Sequence, residues 1–382
     1  MNRIILIGNG FDLAHDLKTS YNDFITDYWE KLINDVKKKG FPFENDDVKT
    51  NPAHAISPLY QQERIERFEI NINEKKFNDI TFKNHFLKII TEKTNSQSWV
   101  DIEEEYYLQI KDIVQIKDIV QNNRGYYFDT KDKTAIAMLN DDFCRIKDAL
   151  ETYLIEKTTK GIGGNAIESC KDGISKNIYA EFESKDFTKE GAGKIIVNKT
   201  IIPDNILFLN FNYSNTEELY VKHKYEVLAK RGLELKINKE TIHIHGELKN
   251  SKNPIIFGYG DESDEVHKEI EKKGGDYLSN VKTINYLKTP NYKNLLKFIE
   301  SGMYQVFIMG HSCGFSDKTL LNTLFEHENC VSIKPFFYKW KDENGLEHDD
   351  YEDKIKNIYR VFTDKTLMRE KVVNKEYCKQ LS

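Results

Sequence analysis

Four short stretches place glycine, asparagine, histidine or serine directly after an apolar run. That arrangement can cradle a nucleotide or present a reactive group. The first is Gly8-Asn9-Gly10-Phe11-Asp12, which follows Ile4, Ile5, Leu6 and Ile7. A glycine pair there lets backbone amides approach a pyrophosphate. Leu13 stands where the full dinucleotide fingerprint needs a third glycine, so the stretch reads equally as a tight strand-to-helix turn. The second is "LNFNYSNTE", residues 209–217. Asn210 and Asn212 there can hold ribose hydroxyls or a water, although asparagine also favours turns for its own reasons. The third is "HIHGE", residues 243–247. A metal shared by His243 and His245 is not expected. His245, nearer the glycine and the strand end, is the better catalytic candidate. The fourth is "IMGHSCGFSD", residues 308–317. Gly310, His311 and Ser312 are expected to line the far end of a nucleotide. "GHSCG" also fits the G-x-S-x-G elbow, which would make Ser312 a hydrolase nucleophile with Asp317, His327 or His348 downstream.

The elements that must carry these residues follow from the apolar pattern. "IILI" (4–7), "ILFL" (206–209) and "VFIM" (306–309) are short and continuously apolar, as strands buried on both faces are. "TIHIHG" (241–246) and "PIIFGYG" (254–260) are further strand candidates, and "VSIKPFF" (331–337) suits an edge because of Pro335. Tyr21, Phe24, Ile25, Tyr28, Leu32 and Val36 share one helical face, opened by a capping box of Ser20 and Asp23. Ser214 and Glu217 form a similar box, predicting a helix through His223 and Val227 to Gly232. Tyr292 to Met303 predicts another helix before the strand at 306. Strands and helices thus alternate at both ends, which predicts an α/β, doubly wound parallel sheet flanked by helices.

Between the first strand-helix unit and the second lies a different stretch. Its readable pieces, Trp99 to Asn122 and Ala135 to Glu156, are helical. The expected organisation is a core from 1–40 and 200–340, a mainly helical insertion from 41–199 and a C-terminal helical extension from 341–382. "QIKDIVQIKDIV" (109–120) repeats a six-residue unit once. Six residues turn a helix by about 240°, so the copies face different ways. A tolerated duplication accounts for it better than a second buried face against another subunit. Glycine-rich "GIGGNAIESCKDGISK" (161–176) and "TKEGAGK" (188–194) read as loops. "WVDIEEEY" (99–106) places Asp101 and Glu103 at a helix start, where acids suit the dipole; the alternative is that one of them leans over the pocket.

Composition narrows the class. The 382 residues carry a net charge of -6, with 39% hydrophobic and 31% charged residues. That charge gives no electrostatic footprint for nucleic acid or an anionic membrane. The five cysteines form no C-x-x-C pair, which argues against a zinc ribbon, and no metal is expected. With no signal peptide pattern and no spanning apolar run, a cytoplasmic location is expected.

Taken together, "RIILIGNGFDLAHDLKTSYNDF", "WVDIEEEY", "FLNFNYSNTEE", "IHIHGEL", "IIFGYGDE" and "FIMGHSCGFSD" resemble the bacteriophage abortive infection AbiH family, in the family's order, from residue 3 to about 325. That pattern is more distantly similar to the SIR2-like superfamily. Gly8-Asn9-Gly10 stands at its Gly-Ala-Gly, Asn212 at the Asn of Thr-Thr-Asn-Tyr-Asp, His245 at the His before Gly, and Gly310 with Ser312 at its adenosine-end turn. Ser214 stands where an Asp follows the Tyr. The resemblance implies a Rossmann-like (SIR2-like) fold, NAD binding, NAD cleavage as the expected reaction and a part in anti-phage defence by killing or arresting the infected cell. The missing zinc cysteines set the chain apart from the deacylases and favour an NAD glycohydrolase.

In that reaction the Gly8 to Phe11 amides would hold the pyrophosphate. Asn212 would orient the ribose or the attacking water, His245 would act as base, and Asp12 would touch ribose or stabilise charge. Two alternatives stand beside it. One is a non-catalytic sensor of a nucleotide or NAD derivative, with the helical insertion as output. The other is the Ser312 hydrolase. A phage-derived or host trigger is implied, and a homo-oligomer is left open.

Overall fold

The computed structural model describes residues 1–50, 61–96, 101–115, 127, 129–131, 133–162, 171–188, 202–222, 237–260 and 265–381. In chain order the described strands are β1 (Asn2–Ile7), β2 (Val48–Thr50), β3 (Ile80–Phe82), β4 (Asn205–Asn210), β5 (Asn238–His243), β6 (Tyr304–Met309), β7 (Cys330–Pro335), β8 (Lys339–Lys341) and β9 (Glu347–Asp349). The chain divides into two compact units. The first is Met1–Lys18, Leu154–Asp264 and Asn280–Ser382, and the second is Thr19–Tyr153 and Glu265–Ser279.

The first unit is built on a five-stranded sheet in the order β5-β4-β1-β6-β7, with every pair parallel. Counted along the chain this is the 3-2-1-4-5 order of doubly wound sheets, which reverses direction beside the first strand. The continuous apolar runs account for it. Alternate residues of β1 feed two separate cores: Ile4 and Leu6 join Leu207, Leu209, Val306 and Ile308, while Ile5 and Ile7 join Ile206, Phe208, Phe307 and Met309. Helices seal both faces. Leu295, Phe298 and Ile299 of the helix Asn291–Glu300 cover the first core, and Ile174 and Ile178 of Asp172–Ile178 cover the second.

β7 lies at the sheet edge and ends on Pro335, as its proline requires. Two expectations need correction. "PIIFGYG" forms no strand: Tyr259 makes only an isolated bridge with Val281, and Gly258 packs so closely on the Asn280 carbonyl that a Cβ would not fit. β5 stops at His243, so His245 sits in the turn beyond it. The stretch after residue 340 contains the β8–β9 hairpin as well as the helices Tyr351–Val361 and Lys365–Lys371. Ile358, Val361 and Phe362 enter the first core. Val372 and Gln380 make parallel bridges to Ile333 and Phe337.

The second unit is mainly helical, with the small antiparallel pair β2–β3. Its helix Tyr21–Lys39 starts at the expected box: the Ser20 hydroxyl accepts from the Asp23 amide while the Asp23 carboxylate accepts from Ser20. Asp101 caps Ile102–Gln115, its carboxylate accepting from the amides of Glu103 and Glu104. That is the capping role. Residues 135–153 of the helix Ala135–Ile162 also belong to this unit. The stretch 161–176, expected as a loop, is corrected in its described parts: it holds the end of the helix Ala135–Ile162 and most of the helix Asp172–Ile178, whose Ile174 and Ile178 are drawn into the second core. Trp99, the second copy of the duplication from 116 on, residues 163–170, residues 189–194 and the helix expected through His223 to Gly232 lie outside the described residues. Among the described residues no helix is long and apolar enough to cross a membrane.

Candidate functional site

The carboxyl ends of β1, β4 and β6 meet where the sheet order reverses, the position at which open α/β sheets bind ligands. Residues 8–12, Asn210, Asn212, His245 and residues 310–312 all belong to the first unit, whereas Asp101 and Glu103 belong to the second. Each strand end contributes a different kind of group.

The two glycine turns interlock. The Gly10 amide donates to the Gly310 carbonyl at 2.8 Å, the Phe11 amide to Gly8 at 2.8 Å, and the Gly8 amide to Met309 at 3.3 Å. Gly310 has φ +79, and a Cβ there would lie 2.0 Å from the Phe11 nitrogen. A Cβ on Gly8 would lie 2.5 Å from the Cα of His311. The glycines are therefore required by backbone packing. The expected pyrophosphate cradle of Gly8 to Phe11 amides is corrected accordingly: three of its four donors already serve protein carbonyls. The Phe11 ring is buried against His15 and Tyr220.

The end of β4 carries a polar loop. Asn210 is buried. Its Nδ2 donates to Ser214 O and to the Glu217 carboxylate, and its Oδ1 accepts from the Asn212 amide. Asn210 thus holds the loop, rather than meeting a ligand as expected. Asn212 is half-buried and donates through Nδ2 to Gly8 O at 2.9 Å. A carbonyl can only accept, so this bond fixes which end of the amide faces inward.

The Ser214 hydroxyl does not cap a helix. It donates to Asp12 Oδ2 at 2.5 Å, and Glu217 faces His243 Nε2 at 2.8 Å. The capping box expected at Ser214 and Glu217 is corrected, because both side chains find partners in neighbouring strand ends. Asp12 is buried, and its Oδ1 has no hydrogen-bond partner among the described residues. Burial raises its pKa to about 6, against the pull of the Ser214 hydroxyl.

His245 and the end of β6 form a second cluster. His245 Nε2 lies 3.1 Å from Asp317 Oδ1 and 3.2 Å from the Tyr286 hydroxyl. His311 Nε2 lies 3.4 Å from Asp317 Oδ2, while its Nδ1 accepts from the Cys313 amide at 2.9 Å. Lys282 Nζ donates to Asp317 Oδ1 at 2.7 Å. The Phe211 ring sits between the two imidazoles, 4.9 Å from His245 and 4.3 Å from His311. A carboxylate only accepts, so the proton of a neutral His245 sits on Nε2 and the lone pair on Nδ1. Burial, and then the Lys282 charge, lower the His245 pKa to about 4, while Asp317 opposes them. Lys282 and His245 hold Asp317 well below the ordinary carboxylate range despite its burial.

Asn9 opens the short helix after β1, half-buried. Ser312 is exposed, and among the described residues no histidine contacts its hydroxyl. His327 accepts from the Asn329 amide, and His348 pairs with Asp342. A Ser312 triad is not assembled. Lys282 and Tyr286 escaped the sequence reading, and Asp317 entered it only as an acid for Ser312. Among the described residues no cluster of three His, Cys, Asp or Glu could hold a metal.

A doubly wound parallel sheet, with titratable side chains gathered where its order reverses, defines a class: α/β proteins whose site lies on strand ends instead of within a helical module. The particular family follows from the sequence itself. The family model described as Bacteriophage abortive infection AbiH matches residues 4–339, and the chain belongs to that family. No curated protein matches the chain.

Proposed function

We propose that this AbiH protein binds NAD and hydrolyses it to nicotinamide and ADP-ribose, depleting the cofactor as the lethal step of abortive infection. The observation that carries the reading is the buried Asp12 Oδ1 at the reversal point, beside an Asn212 amide held in place by its bond to Gly8 O. Buried polar atoms are rarely left unpaired without a functional reason. The resemblance to SIR2-like NAD hydrolases at Asn212 and His245 agrees with it.

Cleavage breaks the bond between ribose C1′ and the nicotinamide nitrogen, whose electron pair leaves with nicotinamide. A water attacks C1′ and loses its proton. Asn212 Oδ1 accepts a hydrogen bond from that water or from a ribose hydroxyl, which orients it. His245 takes the proton through Nδ1, and Asp317 holds the ring. Asp12, mostly ionised above its pKa of about 6, offsets the positive charge that develops on ribose. The interlocked glycine turns form a floor of satisfied backbone, and exposed Ser312 lies toward the adenosine end.

The test is NAD consumption by the purified full chain, with nicotinamide and ADP-ribose as products. Asn212→Ala and His245→Ala should each lower the rate by about 100-fold or more. Unchanged NAD loss in both variants overturns the assignment. A sensor is the second reading, favoured by the deep burial of His245; tight ADP-ribose binding with no NAD loss would select it.

A further inference from the structure

Lys282 is an unusual neighbour for a catalytic base. It is 1% exposed, and its ammonium and His245 Nε2 converge on the same oxygen, Asp317 Oδ1, at 2.7 and 3.1 Å. The proposed reaction asks His245 to gain a positive charge. A fixed ammonium beside it opposes that change, and burial removes the water that would screen it. In a His–Asp pair the carboxylate supports the developing imidazolium. Here that support is shared with a competing cation. The groups facing His245 are Asp317 and His311 from the segment after β6, and Lys282 and Tyr286 from the short helix Lys282–Tyr286. Lys282 is the permanent cation among them.

We propose that Lys282 is a brake on the His245–Asp317 pair, and that withdrawing the helix Lys282–Tyr286 releases it. One element carries both contacts, Lys282 to Asp317 and Tyr286 to His245. That helix follows the point, Asn280, where the chain returns from the second unit, and it is tied down at Tyr259 by the Lys282 amide at 2.8 Å. Ile284 and Leu287, on and just after it, are exposed at 46% and 73%. A toxic NAD hydrolase needs an off state, and this deepening rests on the NAD reading only for its rate measurement.

The experiment uses the full chain and two readouts: the histidine NMR titration of His245, assigned with His245→Gln, and the pH–rate profile of NAD loss. Lys282→Gln keeps a donor for Asp317 and removes the charge. The His245 titration and the acid limb of the profile should move up by at least about one pH unit. The rate plateau should rise about threefold to tenfold. Lys282→Arg should leave all three near wild type. Asp317→Asn reads the same charges from the other side and should push the His245 titration lower, so the test survives if Lys282→Gln fails to fold. An unmoved titration, or a plateau that falls in Lys282→Gln, overturns the brake. If the titration moves as stated while no variant consumes NAD, the charge relation stands and the NAD reading fails.

Discussion

Asp12 and His245 are buried titratable groups with opposite costs. Asp12 binds its proton more tightly folded, at about 6, than in an unfolded chain, at about 3.9. Its contribution to stability is therefore complete below about 3.9 and is lost as pH rises through 6. Replacing it with a neutral isostere removes that loss. Asp12→Asn should stabilise the protein by about 2 to 3 kcal/mol at pH 7.5 and leave it nearly unchanged at pH 3.5. Thermal melts at both pH values check this, and an equal shift at both would refute it. His245 runs the other way. Its pKa is lowered to about 4, so its contribution is present above the unfolded value of about 6.5 and is lost as pH falls through 4. At this scale the sequence disclosed Asn212, His245 and Asp12 because each directly follows an apolar run or belongs to a short motif. Lys282 and Tyr286 were not legible. Their partners are 35 and 41 residues away, and five helical residues carry no readable period.

Elements were legible where one local force dominates. β1, β4 and β6 are buried on both faces, and a short, continuously apolar run bounded by turn residues suits little else; the edge strand β5 is half exposed, and its pattern placed it three residues too late. The two Ser-x-x-acid patterns show the limit. Ser20 and Asp23 have only their own helix to satisfy, and they cap it. Ser214 and Glu217 have the same spacing, but Asp12 and His243 take them. A local pattern yields when a buried tertiary partner offers more. Ser20→Ala should cost about 1 kcal/mol, read by chemical denaturation. Gly310→Ala should cost at least about 3 kcal/mol, because a left-handed residue would also drive a Cβ into the Phe11 backbone. A loss below about 1 kcal/mol would mean that the two turns can separate freely.

For the whole molecule, the two compact units give the sequence changes separate addresses. Ser20 lies in the second unit and Gly310 in the first. Calorimetry should resolve two transitions, with Ser20→Ala lowering one and Gly310→Ala the other; a single transition lowered by both would show that the units unfold together. The pH dependence also combines at this scale. Between pH 6.5 and 4 the gain from protonating Asp12 and the loss from His245 nearly cancel. Asp12→Asn removes the Asp12 gain, so over that range this variant should lose about 2 kcal/mol of stability relative to wild type. The helical stretch was legible as a departure from strand-helix alternation. Its exact limits were not, since Thr19–Tyr153 is continued in space by Glu265–Ser279, far along the chain.

The interlock of Gly8, Gly10 and Gly310 bears on how such a site can be surveyed. The hydrogen bonds between the two turns run from backbone to backbone and glycine has no side chain, so a scan that trims side chains has nothing to remove at these positions and can only add bulk. Damage at these three positions would measure crowding alone, and it would look the same whether or not a substrate ever rests above them. The chemistry of this floor has to be read from its neighbours, Asn212 and Asp12, whose side-chain oxygens can be replaced atom for atom.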